Sequence, residues 1–235
     1  MATINKNNEK ERIMKQEKTT YIIIGGTSGI GEAVAKHFDN GNNIVHVASR
    51  KVGLDISDEK AVHCYFESIG PFDHLVVTAG SYAPVGKVTD VAIDDAKKAF
   101  ETKFWGTINV AKHAARYMTP NGSITLTTGM LSRKVVANTY TKTAINAALE
   151  AVTKVLAKEL SPIRVNAVSP GLTMTTAYNN MDETAREAMY ENAKRNLPAG
   201  KVGEASDIAM AYVMAITNQY MTGSIIDVDG GALVN

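Results

Sequence analysis

The segment YIIIGGTSGIGEAVAKHF, residues 21–38, sets a β-branched run directly before Gly25-Gly26-Thr27-Ser28-Gly29-Ile30-Gly31 and an amphipathic stretch directly after. Glycines let a backbone approach a pyrophosphate closely, and the free N–H groups of a helix start hold its negative charge. The chemistry open to this turn is therefore the binding of a phosphorylated nucleotide, with Gly25, Thr27, Ser28, Gly29 and Ile30 nearest to it. A tight turn with no ligand is the plainer reading of the same glycines. Groups suited to proton transfer lie further along. The run TLTTG (125–129) is rich in hydroxyls, and Lys142 and Asn146 stand four apart, hence on one face of a helix there.

These residues need a scaffold, and the hydrophobic pattern supplies one. TYIII (20–24), IVHVAS (44–49), HLVVTA (74–79), SITLTT (123–128), IRVNAV (163–168) and SIIDV (224–228) read as strands, most of them apolar on both faces. Helices are expected near 30–40, 58–69, 91–118, 139–160 and 205–218. Such alternation argues for an α/β fold, a single Rossmann-type doubly wound parallel sheet with helices on both faces. Residues 175–196, polar with scattered Met and Tyr, read as a helical lid after a strand's C-terminal end. Between Arg50 and Asp55 there is no room for the dozen or more residues of a parallel crossover. Any strand at 52–55 is then a stub, and the helix between strands 2 and 3 is expected to be missing.

Bulk properties bound the rest. The chain has 235 residues, 45% apolar and 21% charged, and a formal net charge of +1, which suits one sizeable domain and gives no electrostatic reason for a nucleic-acid partner. No apolar run reaches the length of a membrane span, so no membrane partner is expected. One cysteine, Cys64, excludes an internal disulfide and fits a reducing, cytoplasmic setting. Residues 1–19 are charged throughout and read as a flexible polar lead-in rather than a secretory signal, with residues 20–235 as the domain. The histidines at 37, 46, 63, 74 and 113 have no metal-ligand spacing, and no metal site is expected.

The spacing Gly25-x3-Gly29-x-Gly31 resembles that of the short-chain dehydrogenase/reductase family. LVVTAG (75–80) is similar to the family's Asn-Asn-Ala-Gly strand end, and IRVNAVSPG (163–171), Pro170-Gly171-x3-Thr175 and MTGSIIDVDGG (221–231) continue the resemblance over nearly the whole domain. It implies hydride transfer between a nicotinamide and a small carbonyl or alcohol substrate, and pairing into a homodimer or homotetramer through the helices at 91–118 and 139–160. It also implies cofactor contacts from Thr78, Ala79 and Gly80, from Pro170, Gly171, Leu172, Thr173 and Thr175, and from Asp55 and Ile56 at the adenine. NAD-binding members carry an acidic residue at the end of the second strand. Here that position is Ser49, followed by Arg50 and Lys51, which would bind a 2′-phosphate rather than repel it. NADP(H) is the expected cofactor.

The family's Asn-Ser-Tyr-Lys tetrad does not match. Aligned from AALEAVTKVLAKELS, the Tyr position falls on Lys142, the Lys position on Asn146, the Asn position on Lys103, and the Ser position on Gly129 beside Thr128. One reading is a rebuilt site: Lys142 as proton donor, Thr128 supplying the hydroxyl, and Lys103 and Asn146 exchanging an amine and an amide. Tyr140 is the competing donor. The other reading is a non-catalytic NADP(H)-binding sensor or scaffold. Tyr82, Tyr178, Met174, Met181 and Met189 could line a substrate pocket, and Arg133 and Lys134 could meet an anionic substrate or be solvated loop charges.

Overall fold

The computed structural model describes residues 18–80 and 83–235. Most of the N-terminal lead-in, residues 1–17, and Tyr82 therefore lie outside the described residues. The chain runs β1 (Thr20–Ile24), α1 (Gly29–Phe38), β2 (Ile44–Ala48), α2 (Glu59–Ile69) and β3 (Phe72–Val77). Then α3 (Ile93–Phe100) passes through a π-helical turn (Glu101–Trp105) into α4 (Gly106–Ala114). Next come β4 (Met118–Thr127), α5 (Tyr140–Glu159), β5 (Arg164–Pro170), β6 (Thr173–Met174), α6 (Glu183–Asn196), β7 (Gly203–Glu204), α7 (Ala205–Thr217) and β8 (Ile225–Val228).

Six strands form one parallel sheet in the order β2-β1-β3-β4-β5-β8. Side chains alternate across a strand, so β1 supplies two cores. Ile22 and Ile24 join Leu75, Val77, Leu126, Val62, Phe66 and Val110 on the α2/α4 side. Tyr21 and Ile23 join Val76, Val168, Val34, Phe38, Ile208 and Tyr212 on the α1/α7 side. This double burial is why the strands read as continuous apolar runs. The chain leaves β1 in both directions across the sheet, and such a switch point opens a crevice at the strands' C-terminal ends. The glycine turn after β1 and Thr78 after β3 face that crevice.

The crossover after β2 departs from expectation for a local reason. No stub strand forms at 52–55, so the chain passes from β2 through α2 (Glu59–Ile69) to β3, and a helix does stand between the second and third strands, contrary to expectation. Ser49 instead caps a 3-10 turn over Arg50–Val52, Gly53 takes φ 93° to reverse the chain, and Ser49 O accepts the amides of both Val52 and Leu54 at 3.0 Å. Leu54 and Ile56 then drop into the core, so β2 is left as the sheet edge. The segment read as a lid is helical over 183–196, started by Asp182 accepting from Ala185 N at 3.0 Å. A short parallel pair, β6 with β7, ties its base to the body.

Gly25 and Gly31 are required by close approach. A Cβ on Gly31 would lie 2.3 Å from Thr78 Oγ1 and 2.5 Å from Gly25 O, and one on Gly25 2.7 Å from Ala79 N, where φ is also +88°. Gly31→Ala should destabilise the fold by about 1–3 kcal/mol, the usual cost of overpacking. Gly80→Ala, where a Cβ meets nothing within 4 Å, should stay within about 0.5 kcal/mol. Urea unfolding of both variants checks this, and equal stabilities would refute the packing account.

Candidate functional site

The crevice is lined at one end by the glycine turn. Ser28 is the N-cap of α1 in an extended conformation (φ −164°, ψ 162°), and its hydroxyl makes no capping bond. The first-turn amides that a capping side chain would cover are left to a ligand. Gly29, at φ +56°, faces the end of β5, since its Cβ would stand 3.3 Å from Thr175 Cβ. Thr175 itself caps the turn at 176–178 by accepting from Ala177 N at 3.3 Å. Glycine turn and β5 end thus converge on one space. Gly171 is packed against Asp229, while the Thr173 hydroxyl donates to Gly171 O at 3.1 Å and Leu172 O accepts from Gly203 N at 3.2 Å. On the other flank Thr78 is pinned to Ile24 O by its amide at 2.8 Å and its hydroxyl at 3.1 Å, which leaves Ala79 beside Gly25 and Gly80 exposed.

The outer end carries the cations. Thr27 Oγ1 donates to Ser49 Oγ at 2.9 Å, and the same oxygen accepts from Lys51 N at 3.2 Å. Both bonds use Ser49 as acceptor, so its own proton is free to be donated. Arg50 and Lys51 are exposed and form no ion pair among the described residues. Of the two residues expected at the adenine, Ile56 directs its side chain into the core. Its side chain is buried under Gly106, and Asn109 Nδ2 holds its carbonyl at 3.1 Å. The Asp55 carboxylate accepts from the Ser57 hydroxyl at 2.7 Å and amide at 2.9 Å, bonds that hold it below the usual carboxylate range, with Arg50 adding to the effect.

The inner end holds the replaced tetrad positions. Lys103 sits in the π-helical turn, a local widening of the helix that recurs at functional sites. Thr107 Oγ1 donates to the Lys103 carbonyl at 2.6 Å, and Phe100 and Phe104 pack with Ala99 on Ile145 and Leu149 of α5. This seating aims Lys103 Nζ at Asn146 Oδ1, 2.8 Å away, and at Thr128 O, 3.2 Å away. Burial, and then the charge of Lys142, push the Lys103 amine down to about 8. The amine displaced from the ordinary lysine range is thus Lys103. Lys142 lies one turn before Asn146 on the same helix and makes no hydrogen bond or ion pair among the described residues.

Thr128 does not present its hydroxyl here. It is 3% exposed and its Oγ1 is directed at Val168 O, 3.4 Å away, so only its carbonyl joins the network. Gly129 is explained by Asn146: a Cβ there would stand 2.9 Å from Asn146 Nδ2. Tyr140 faces elsewhere. It borders a cavity of about 200 Å³ with Val88, Leu131, Val136 and Thr143, and its hydroxyl is buried with no hydrogen-bond partner among the described residues. Arg133 is not a free cation, because Asp227, Glu150 and Ser169 bind it, and Lys134 donates to Asn235 O. Tyr178 stacks edge-on with Tyr190 of α6, and burial raises its phenol. The histidines are less scattered than their spacing suggests, as the His63 and His113 rings stand 5.2 Å apart. Still, no group of three or more potential ligands for a metal occurs among the described residues. Nor is any described helix long and apolar enough to cross a membrane.

Sequence reasoning missed the π-helical turn and the reason for Gly129. The first has no periodic signal; the second had one, a glycine beside an asparagine-bearing helix face, legible only once the two are known to touch.

Comparison with known proteins places this arrangement. A family model described as enoyl-(acyl carrier protein) reductase matches residues 42–232. The chain is 33% identical to the short-chain dehydrogenase/reductase ATR9 of Stachybotrys chlorohalonatus over 91% of this chain and 96% of that protein. It is 29% identical to the short-chain dehydrogenase/reductase ucsE of Acremonium sp over 94% and 97%. Among solved structures, a small-chain dehydrogenase in complex with NADPH is 68% identical, with a TM-score of 0.92, covering 93% of this chain and 100% of that one.

The Gly129–Asn146 fit predicts a coupling. Gly129→Ala should cost about 1–2 kcal/mol in the wild type, because the amide must leave Lys103. In an Asn146→Ala background the same change should be close to neutral. A double-mutant cycle by denaturant unfolding measures it, and additive effects would show that the two positions are independent.

Proposed function

The chain belongs to the short-chain dehydrogenase/reductase family, and from that premise we propose that it is an NADPH-dependent oxidoreductase. Its substrate is a small carbonyl compound or the corresponding alcohol, and its site is built from Lys103, Asn146 and Lys142 in place of the family's tetrad. The observation that carries catalysis rather than mere binding is the Lys103–Asn146 contact at 2.8 Å. A site drifting free of function has no reason to keep a depressed amine seated on a buried amide, with a glycine cleared to admit it.

The residues of the crevice fit the cofactor. A Cβ would fill the cradle at Gly25 and Gly31, the helix start lacks a side-chain cap, and Ser49, Arg50 and Lys51 offer a hydroxyl and two unpaired cations for a 2′-phosphate. The 68% identical NADPH complex supports the same choice. A bound nicotinamide supplies or takes the hydride at the carbonyl carbon.

The proton at the carbonyl oxygen is the task of this chain's own side chains. We assign it to Lys103 rather than Lys142. An ammonium has three N–H donors, and two are directed at Asn146 Oδ1 and Thr128 O, which leaves one for a substrate oxygen. An amine near 8 is matched to proton transfer at ordinary pH. Lys142 tunes it by charge, and Asn146 orients it. Trp105 and Val155, exposed apolar side chains near and on α5, support pairing of two copies through this face.

Reduction needs the protonated amine, so kcat should be full well below pH 8 and fall as pH rises through about 8. Lys103→Met should lose about a hundredfold or more in kcat. Lys142→Met should keep measurable turnover and move the midpoint upward, because a like charge that favoured deprotonation is gone. The reverse pattern, with Lys142→Met inactive and Lys103→Met active, would return the donor role to Lys142. Tight NADPH binding without turnover of any ketone, aldehyde or enone would instead identify a sensor.

Charge reversal tests the cofactor separately. Arg50→Glu with Lys51→Glu should weaken NADPH binding by about a hundredfold while changing NADH binding several-fold at most, read by fluorescence titration. Equal losses for both cofactors would remove the 2′-phosphate assignment.

A further inference from the structure

Lys103 Nζ bonds Asn146 Oδ1 at 2.8 Å, and Lys142 stands one turn before Asn146 on α5, so two cations flank the same amide; the charge of Lys142 also contributes to lowering Lys103. Every acceptor that touches the pair is neutral: the carbonyl of Thr128 and the amide oxygen of Asn146. Among the described residues neither lysine forms an ion pair. The acids nearby are committed elsewhere. Glu150, two turns along α5 from Lys142, accepts from Ser132 Oγ at 2.5 Å and from Arg133 at 3.3 Å. Asp227 binds Arg133 as well. The cations of the adjoining loop are thus satisfied, while the two at the site are not.

Partly buried like charges without a counter-ion repel and desolvate one another at a cost. A ligand that brings a negative charge to this pair would relieve that repulsion. Resting on the oxidoreductase reading above, we propose that the substrate is an oxo acid, with its carboxylate bound by Lys142 and its carbonyl oxygen by Lys103. Lys142 and Asn146 are one helical turn apart and Lys103 touches Asn146. Both lysines are thus neighbours of Asn146, which suits a substrate that carries a carboxylate close to its reacting carbonyl. The cofactor's phosphates have a separate seat at the glycine turn and the Ser49–Lys51 corner, so they leave this charge unmet.

The test uses matched probes that differ only in charge: pyruvate and phenylglyoxylate, each against its methyl ester. Binding is measured by calorimetry on the protein saturated with NADP+ and on the protein alone, and turnover is measured with NADPH. At least one acid should bind about tenfold or more tightly than its ester and show a similar advantage in kcat/KM. Lys142→Gln should bring acid and ester to within about twofold to threefold while leaving NADPH affinity unchanged. Acid and ester bound alike in the wild type, no binding of either acid, or a preference that survives Lys142→Gln would each overturn the proposal. So would an acid preference seen on the protein alone that disappears with NADP+ bound, since the cofactor would then be the counter-ion. Failure of the underlying reading looks different: NADPH does not bind in fluorescence titration, while the calorimetric comparison of acid and ester on the protein alone still reports on the lysine pair.

Discussion

A backbone stripped of side chains where β1 meets α1 is the constraint from which the molecule's organisation follows. Gly31 approaches Gly25 O and Thr78 so closely that no Cβ fits, which draws the start of α1 onto the ends of β1 and β3. Thr78 returns the contact by holding Ile24 O with both its amide and its hydroxyl. Gly29 then lies against Thr175, beyond the end of β5. Three segments far apart in the chain are thereby brought to one crevice, and the parallel order of the sheet decides that this happens at the strands' C-terminal ends. At the same place Ser28, the N-cap of α1, makes no side-chain capping bond, so the first amides of the helix stay uncovered.

The second organising contact is built from compensating changes. Lys103 reaches Asn146 only because the helix widens into a π turn over Glu101–Trp105 and because Gly129 leaves space for the Asn146 amide. Each of these alone looks like a defect: an irregular helix, a glycine at a strand's end, a polar residue buried in α5. Together they satisfy one another. The amine keeps two acceptors, the amide is held in one orientation, and the widened turn's displaced carbonyl is taken up by Thr107. Burial and a neighbouring cation still act on the amine, so the arrangement is stable in hydrogen bonding while strained in charge. Satisfied hydrogen bonds beside unpaired charge are the combination that the proposed proton transfer draws on.

Much of the scaffold was legible in the pattern of residues. The strands were visible because Ile22 and Ile24 face one core while Tyr21 and Ile23 face the other, and a strand buried on both faces reads as a mostly apolar run. Asp58 and Asp182 cap the helices that follow them, a signal the sequence carried and the periodicity alone did not use. What stayed hidden depends on directions that spacing does not encode. Thr128 was a hydroxyl at the right position, but its rotamer sends that hydroxyl to β5. Ile56 aligned with an adenine contact, but it is needed as a plug beneath Gly106. Arg133 looked like a free cation, and its partner Asp227 lies on a strand at the far edge of the sheet. A run of residues reports burial and periodicity well. It reports poorly which of two long-range partners a side chain will choose.

The short turn after β2 fixes the corner where Arg50 and Lys51 stand. Ser49 caps it, and its oxygen is held between Thr27 of the glycine turn and the Lys51 amide. The cation-bearing corner is thus fastened to the glycine turn by the Thr27–Ser49 bond, beside the Gly25 amide's bond to Ala48 O at 2.7 Å. Its two charges project from a segment fixed at both ends, by Ser49 above and by Leu54 sinking into the core below. A carboxylate at Ser49 would accept from Thr27 and Lys51 equally well, so the fold does not demand serine. The hydroxyl differs from a carboxylate only in having a proton to give and no charge to repel, and both differences favour an additional phosphate at this corner.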